Sequence, residues 1–202
     1  MPRWLLACLL IWAGSAAADE RISICYNYGC AAEKAVRYTE PQLAWARKAL
    51  SAARNPEQER QALAPVIGRL YLWAGMQSPI YVDKGGNTAD DAVNGAMDCI
   101  DHSTTTTRLL TVLERRGWLR YHRVIEVQHR NRFFIFDHYS AAIKEKQPSW
   151  LPREKIAYTE DMPEEIMPDR FVVDSWFVDN GKPAVILPLE HWKDGGGPEV
   201  GN

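Results

Sequence analysis

The hydrophobic period of this chain changes at Gly117, and that change limits the folds open to it. Before Gly117 apolar residues recur at helical spacing, and after it they alternate with the period of two that marks a sheet face. The first half therefore reads as helical and the second as mainly a sheet. The whole chain has 202 residues and no repeat, a size that suits one core.

Three helices are predicted. Thr39 and Gln42 form a capping-box pair with Pro41 in the first turn, and Leu43, Ala46 and Leu50 follow on one face. Asn55-Pro56 ends that helix and starts another, whose Leu63, Val66, Ile67, Leu70 and Ala74 share a stripe; Pro65 should bend it and Gly75 end it. The loop Asp83-Lys84-Gly85-Gly86-Asn87 lacks the spacing of a phosphate-binding loop and reads as a flexible connection. In the third helix Asp98 is the N-cap, Asp101 adds charge to the first turn, and Gly117 stops it after Arg115 and Arg116. Cys99 therefore lies in the first turn, on the face of Thr106, Leu110 and Leu113. Unsatisfied N–H groups and the positive end of the helix dipole should lower its thiol pKa toward neutrality.

Four strands are expected after Gly117. In the first, Leu119, Tyr121, Ile125 and Val127 face one way and Arg120, His122, Glu126 and Gln128 the other, before a turn at 129–132. The second runs from about Phe133 to Ile143, and a segment with Pro148, Pro152, Pro163 and Pro168 separates it from the third, Arg170 to Val178. Asp179-Asn180-Gly181 is a hairpin signal leading to a fourth strand, Ala184 to Leu189, and the glycine-rich end after Trp192 reads as frayed. A short strand from Arg21 to Cys25 precedes the helices.

Arg3, the apolar run Trp4 to Ala13 and the small residues up to Ala18 have the order of a secretory signal peptide. Cleavage is expected before Asp19, leaving an exported, periplasmic or secreted domain over 19–202 without a membrane anchor. The mature chain would be mildly acidic, which carries no nucleic-acid signature. In an oxidising compartment Cys25 and Cys30 are close enough to pair across Tyr26-Asn27-Tyr28-Gly29, and Cys99 is left over. A thiol left unpaired outside the cytosol points to reactivity or to inert burial.

Two polar residues stand out within the apolar strands. Asp174 lies within Phe171-Val172-Val173-Asp174-Ser175-Trp176, and a buried carboxylate needs a partner. His138 shares a strand face with the small residues Ser140 and Ala142, so it has room to be that partner. A carboxylate that fixes a histidine beside a nucleophile is the arrangement of a catalytic triad, with Cys99 as the nucleophile. His122, His129 and His191 read as solvated or structural. His102, one turn after Cys99, competes as the base but shows no orienting group nearby.

The order Met97-Asp98-Cys99-Ile100-Asp101, His138-Tyr139-Ser140-Ala141-Ala142-Ile143 and Val172-Val173-Asp174-Ser175-Trp176 resembles the transglutaminase-like cysteine hydrolases and acyltransferases, over about half of the chain. The resemblance implies a papain-like α+β core with the cysteine helix on an antiparallel sheet. It also implies Cys99 as nucleophile, His138 as base and Asp174 as orienting acid.

The expected function is attack of Cys99 on an amide or ester carbonyl through an acyl-enzyme, with no cofactor and with a peptide, protein or peptidoglycan-type substrate. The backbone N–H of Cys99 and a group from the preceding loop, with Asn94 as a side-chain candidate, would hold the oxyanion. Two alternatives stay open. One is a non-catalytic binding module on the same fold, with Arg115, Arg116, Arg120, Arg123, Arg130 and Arg132 as a basic patch or as a solvated face balanced by the acids between 160 and 169. The other is a structural zinc site of Cys25, Cys30, Cys99 and His102.

Overall fold

The computed structural model of the chain describes residues 19–132, 136–146 and 169–199. The elements are β1 (Glu20–Tyr26), β2 (Ala32–Tyr38), α1 (Glu40–Ser51), α2 (Pro56–Gly75), a 3-10 turn (Pro79–Val82), α3 (Cys99–Arg115), β3 (His122–Arg132), β4 (Phe136–Glu145), β5 (Arg170–Asp174), β6 (Val185–Pro188) and α4 (Leu189–Lys193). The fold is α+β. β1 and β2 form an antiparallel pair, and β3-β4-β5-β6 an antiparallel sheet in that order. The apolar segment 1–18 and the acids between 160 and 168 lie outside the described residues.

Local chemistry explains the helix ends. Thr39 and Gln42 make the expected capping box, and the Asn55 side chain accepts the Gln58 N–H at 2.8 Å. Leu109, Leu110 and Leu113 of α3 enter the main core with Ala141 and Ile143 of β4 and Val173 of β5. The opposite face of the sheet meets α4, where Val172, Leu189 and Trp192 form a second, smaller cluster.

The sheet departs from its sequence reading in several places. β2 is absent from the expectation because Ala32–Tyr38 alternates only weakly; Val36 and Tyr38 are its buried positions. The 129–132 turn is strand instead, since β3 runs on to Arg132 with Arg130 opposite His138. A bulge between Ile125 and Gln128 inserts one residue and turns the later side chains over, so that Val127 is exposed and Gln128 buried. His122 is fully buried and its Nδ1 lies 2.8 Å from the Glu59 carboxylate. That buried acid comes from α2, too far along the chain for strand alternation to reveal.

β5 ends at Asp174, so Asp179-Asn180-Gly181 belongs to a longer connection and not to a two-residue hairpin. The loop at 83–87 is anchored rather than flexible: Gly85 N–H donates to Asp179 (3.1 Å) and Gly86 N–H to the Trp176 carbonyl (2.7 Å). A Cβ at Gly85 would lie 2.5 Å from the Val178 backbone, which explains the glycine. The segment from Trp192 to Gly196 is held too, because Trp192 is buried and Arg130 donates to the carbonyls of Trp192 and Gly196.

Candidate active site

Asp98 and Asp101 build the start of α3. The Asp98 carboxylate accepts the Asp101 N–H at 2.8 Å, and Asp101 reaches back to the Asp98 N–H at 3.2 Å. A second set of donors reaches the same acids. Asn27, Tyr28, Gly29 and Cys30 have φ of 67°, 61°, 63° and 58°, a run of left-handed backbone that turns successive N–H groups to one side. Tyr28 and Cys30 donate to Asp101 at 2.8 and 2.6 Å, and Gly29 to Asp98 at 2.8 Å. The expected disulfide, Cys25 to Cys30, closes this loop. Burial, and then the neighbouring Asp98 charge, pushes the Asp101 carboxyl up to about 6.

Cys99 is half-buried and stands outside the disulfide. Its Sγ lies 3.9 Å from the Asp137 carbonyl and takes a hydrogen bond from the Tyr139 backbone N–H, so the thiol meets β4 at the residues flanking His138. The expected depression of the thiol pKa is overturned. Burial pushes the thiol up; a backbone hydrogen bond from Tyr139 opposes it, and the Asp98 and Asp174 charges add to the rise. Burial is the largest cause, and Asp98, the N-cap, adds a negative charge beside the thiol.

His138 is 7% exposed and packs among the rings of Trp176, Phe177 and Trp192, with centroids 4.7, 5.5 and 5.6 Å away. Its Nε2 lies 2.8 Å from Asp174 Oδ2. The same oxygen accepts the Trp192 indole N–H at 3.0 Å, and Oδ1 accepts the Trp176 backbone N–H at 3.2 Å. Asp174 is 2% exposed, so these donors rather than water satisfy its carboxyl oxygens. A ring that donates from Nε2 carries its lone pair on Nδ1. Cys99 and His138 both line a cleft of about 610 Å³, with Tyr28, Asn87, Trp176 and Phe177 among its walls.

The other sequence candidates lie elsewhere. Asn94 accepts a hydrogen bond from Asn27 at 3.2 Å and lines a separate groove with Tyr26, Met76 and Tyr81, outside the lining of the Cys99 cleft. His102 does have an orienting group, against expectation: its Nε2 lies 3.0 Å from Asp83 and its Nδ1 2.8 Å from the Ser175 hydroxyl. With Thr106 and Tyr71 these groups form a buried polar network linking α2, α3 and the end of β5. Both ring nitrogens are thus engaged, which leaves His102 without a lone pair for a thiol proton or a zinc ion. Cys25 and Cys30 are joined as a disulfide, so the Cys25, Cys30, Cys99 and His102 ligand set is not assembled. Cys25, Cys30 and Asp101 do lie close together, but the sulfurs are those of the disulfide.

Of the proposed basic patch, Arg115 and Arg116 pair with Glu20, Arg120 bonds the Ser51 and Ala53 carbonyls, and Arg130 holds the C-terminal segment. Trp176 and Trp192 escaped the sequence reading. Their signal was the density of aromatics around Asp174 and at the chain end, which is indistinguishable from ordinary core packing without the sheet register.

No family model, curated protein or solved structure matches this chain.

Proposed function

We propose that the protein is a thiol-dependent hydrolase or acyltransferase with a papain-like, transglutaminase-like core, exported and acting on an amide bond of a peptide, protein or peptidoglycan-type substrate. The observation that carries this reading is the buried His138–Asp174 pair, at 2.8 Å, in the cleft that Cys99 also lines. Asp174 fixes the ring with Nε2 as donor, so Nδ1 is the basic nitrogen.

Burial, with the Asp98 and Asp174 charges, favours the protonated thiol at rest, so attack requires a base. Nδ1 takes the thiol proton as Sγ forms a bond to the substrate carbonyl carbon, and the carbonyl oxygen becomes an oxyanion. The Cys99 backbone N–H is the natural donor to it, since the first turn of a helix leaves N–H groups without intrahelical acceptors. Collapse of the intermediate expels the amine, which takes its proton from the imidazolium. Water or a second amine, deprotonated by His138, then cleaves the thioester and restores the thiol.

An activated ester such as p-nitrophenyl acetate tests the reading. Intact-mass and peptide analysis should find acetyl on Cys99, and His138→Ala should slow its formation by roughly 100-fold, the weight of a general base. Equal acetylation rates in the two proteins, or no acetyl on Cys99, would return the chain to a non-catalytic binding role.

A further inference from the structure

The hydrogen bonds around Asp174 continue beyond the His138 pair. Trp192, on α4, is fully buried and donates to Asp174 Oδ2, the oxygen that already meets His138 Nε2. Its own carbonyl accepts from Arg130, whose guanidinium lies 4.7 Å over the Trp192 ring. Arg130 is the cross-strand neighbour of His138, so the contacts pass from β3 through α4 and β5 back to β4. One carboxylate oxygen thus serves two donors, and each draws on the same electron density. An indole N–H there lessens what the oxygen can offer to an imidazolium.

We infer that Trp192 is a positioning residue that sets the basicity of His138 through Asp174, with Arg130 fixing Trp192 in place. The charged and titratable groups that bond His138 or share its cleft include Asp174 on β5, Tyr28 on the β1–β2 connection, Cys99 and Asp98 at the start of α3, Arg130 on β3, Asp137 on β4 and Glu199 near the chain end. Of these, Asp174 bonds both rings through one oxygen, so the indole acts on His138 through that carboxylate. The inference rests on the proposed role of His138 as base, but it predicts an equilibrium property of the ring.

The test is a proton-detected NMR titration of the histidine rings in the full chain, comparing wild type with Trp192→Phe. Phenylalanine keeps an aromatic ring and removes the donor. The expected result is an upward move of the His138 midpoint by roughly half a pH unit or more, as suits loss of a competing hydrogen bond to a charged acceptor. His129, which meets Asp137 instead, should keep its midpoint. A His138 midpoint unchanged in the variant overturns the inference. Wild type supplies a second reading should Trp192→Phe not fold: the Trp192 indole N–H resonance should shift with the same midpoint as His138, and an indole signal blind to that titration overturns it too. Failure of Cys99 to form an acyl adduct would instead remove the proposed function and leave both titrations as they are.

Discussion

The Asp101 carboxylate accepts the backbone N–H of Cys30 at 2.6 Å, so the disulfide loop and the cysteine helix are joined by a charge-assisted hydrogen bond. Tyr28 bonds the same carboxylate and also lines the cleft. The position of the thiol is therefore coupled to a loop far from it in sequence. The left-handed run from Asn27 to Cys30 is unfavourable for residues other than glycine, and the disulfide and the two acids offset that strain.

Reduction of the disulfide, or the double substitution of Cys25 and Cys30 by serine, should cost about 2 kcal/mol of stability, as expected for so short a loop. It should also change the rate at which Cys99 reacts with iodoacetamide. Denaturant unfolding and timed alkylation measure the two effects. An unchanged alkylation rate in a protein that stays folded would show that the loop does not position the thiol.

Cys99 should alkylate with a midpoint above that of an ordinary thiol, since its folded-state pKa is raised by burial and by Asp98 and Asp174. Asp98→Asn removes one of those charges and should lower the midpoint. A pH series of alkylation rates checks both, and a wild-type midpoint near neutrality would contradict them.

Asp101 titrates at about 6 in the folded protein against an ordinary 3.8, so the folded state holds its proton more tightly than the unfolded one. Its contribution to stability is then present below pH 3.8 and lost as pH rises toward about 6. Asp19, Glu20, Glu33, Asp137 and Asp179 have lowered values and act in the opposite sense on acidification. The comparison that isolates Asp101 is Asp101→Asn against wild type: wild type should lose ground to the variant across that window. Equilibrium unfolding at a series of pH values measures the difference, and a flat one would contradict the assignment.

Asp83→Ala should destabilise by about 3 to 5 kcal/mol, because it strands a buried histidine and the Met97 N–H that the same carboxylate accepts at 2.8 Å. Urea unfolding measures this. A loss below about 1 kcal/mol would mean that water reaches His102.

Much of the helical half was legible, because capping residues and apolar spacing act within a few positions of one another. Thr39, Asn55 and Asp98 start their helices as local chemistry dictates. Cys25, Cys30, His138 and Asp174 also stood out, each for a chemical reason visible in its neighbours. The rest depends on partners that sequence distance hides. His122 reads only as solvated or structural, and its buried structural place depends on Glu59 from α2; the orienting group of His102 is Asp83, from the loop before α3. The direction of the thiol shift is not legible in the sequence, because the helix-end argument leaves out burial, its largest cause, and the Asp98 and Asp174 charges. Val127 and Gln128 exchanged faces because a bulge leaves no mark on an alternating pattern.

Tyr28, Cys99, His138, Asp174 and Trp192 come from the β1–β2 connection, α3, β4, β5 and α4 in turn. No stretch of the chain contains enough of the cleft to assemble it early, and ordering it requires closing several long loops. Cys99 and His138 can line one cleft only once α3 and β4 have packed together. Under the proposed function, a chain in which these segments have not packed would carry Cys99 apart from His138, so acylation of Cys99 would report native packing.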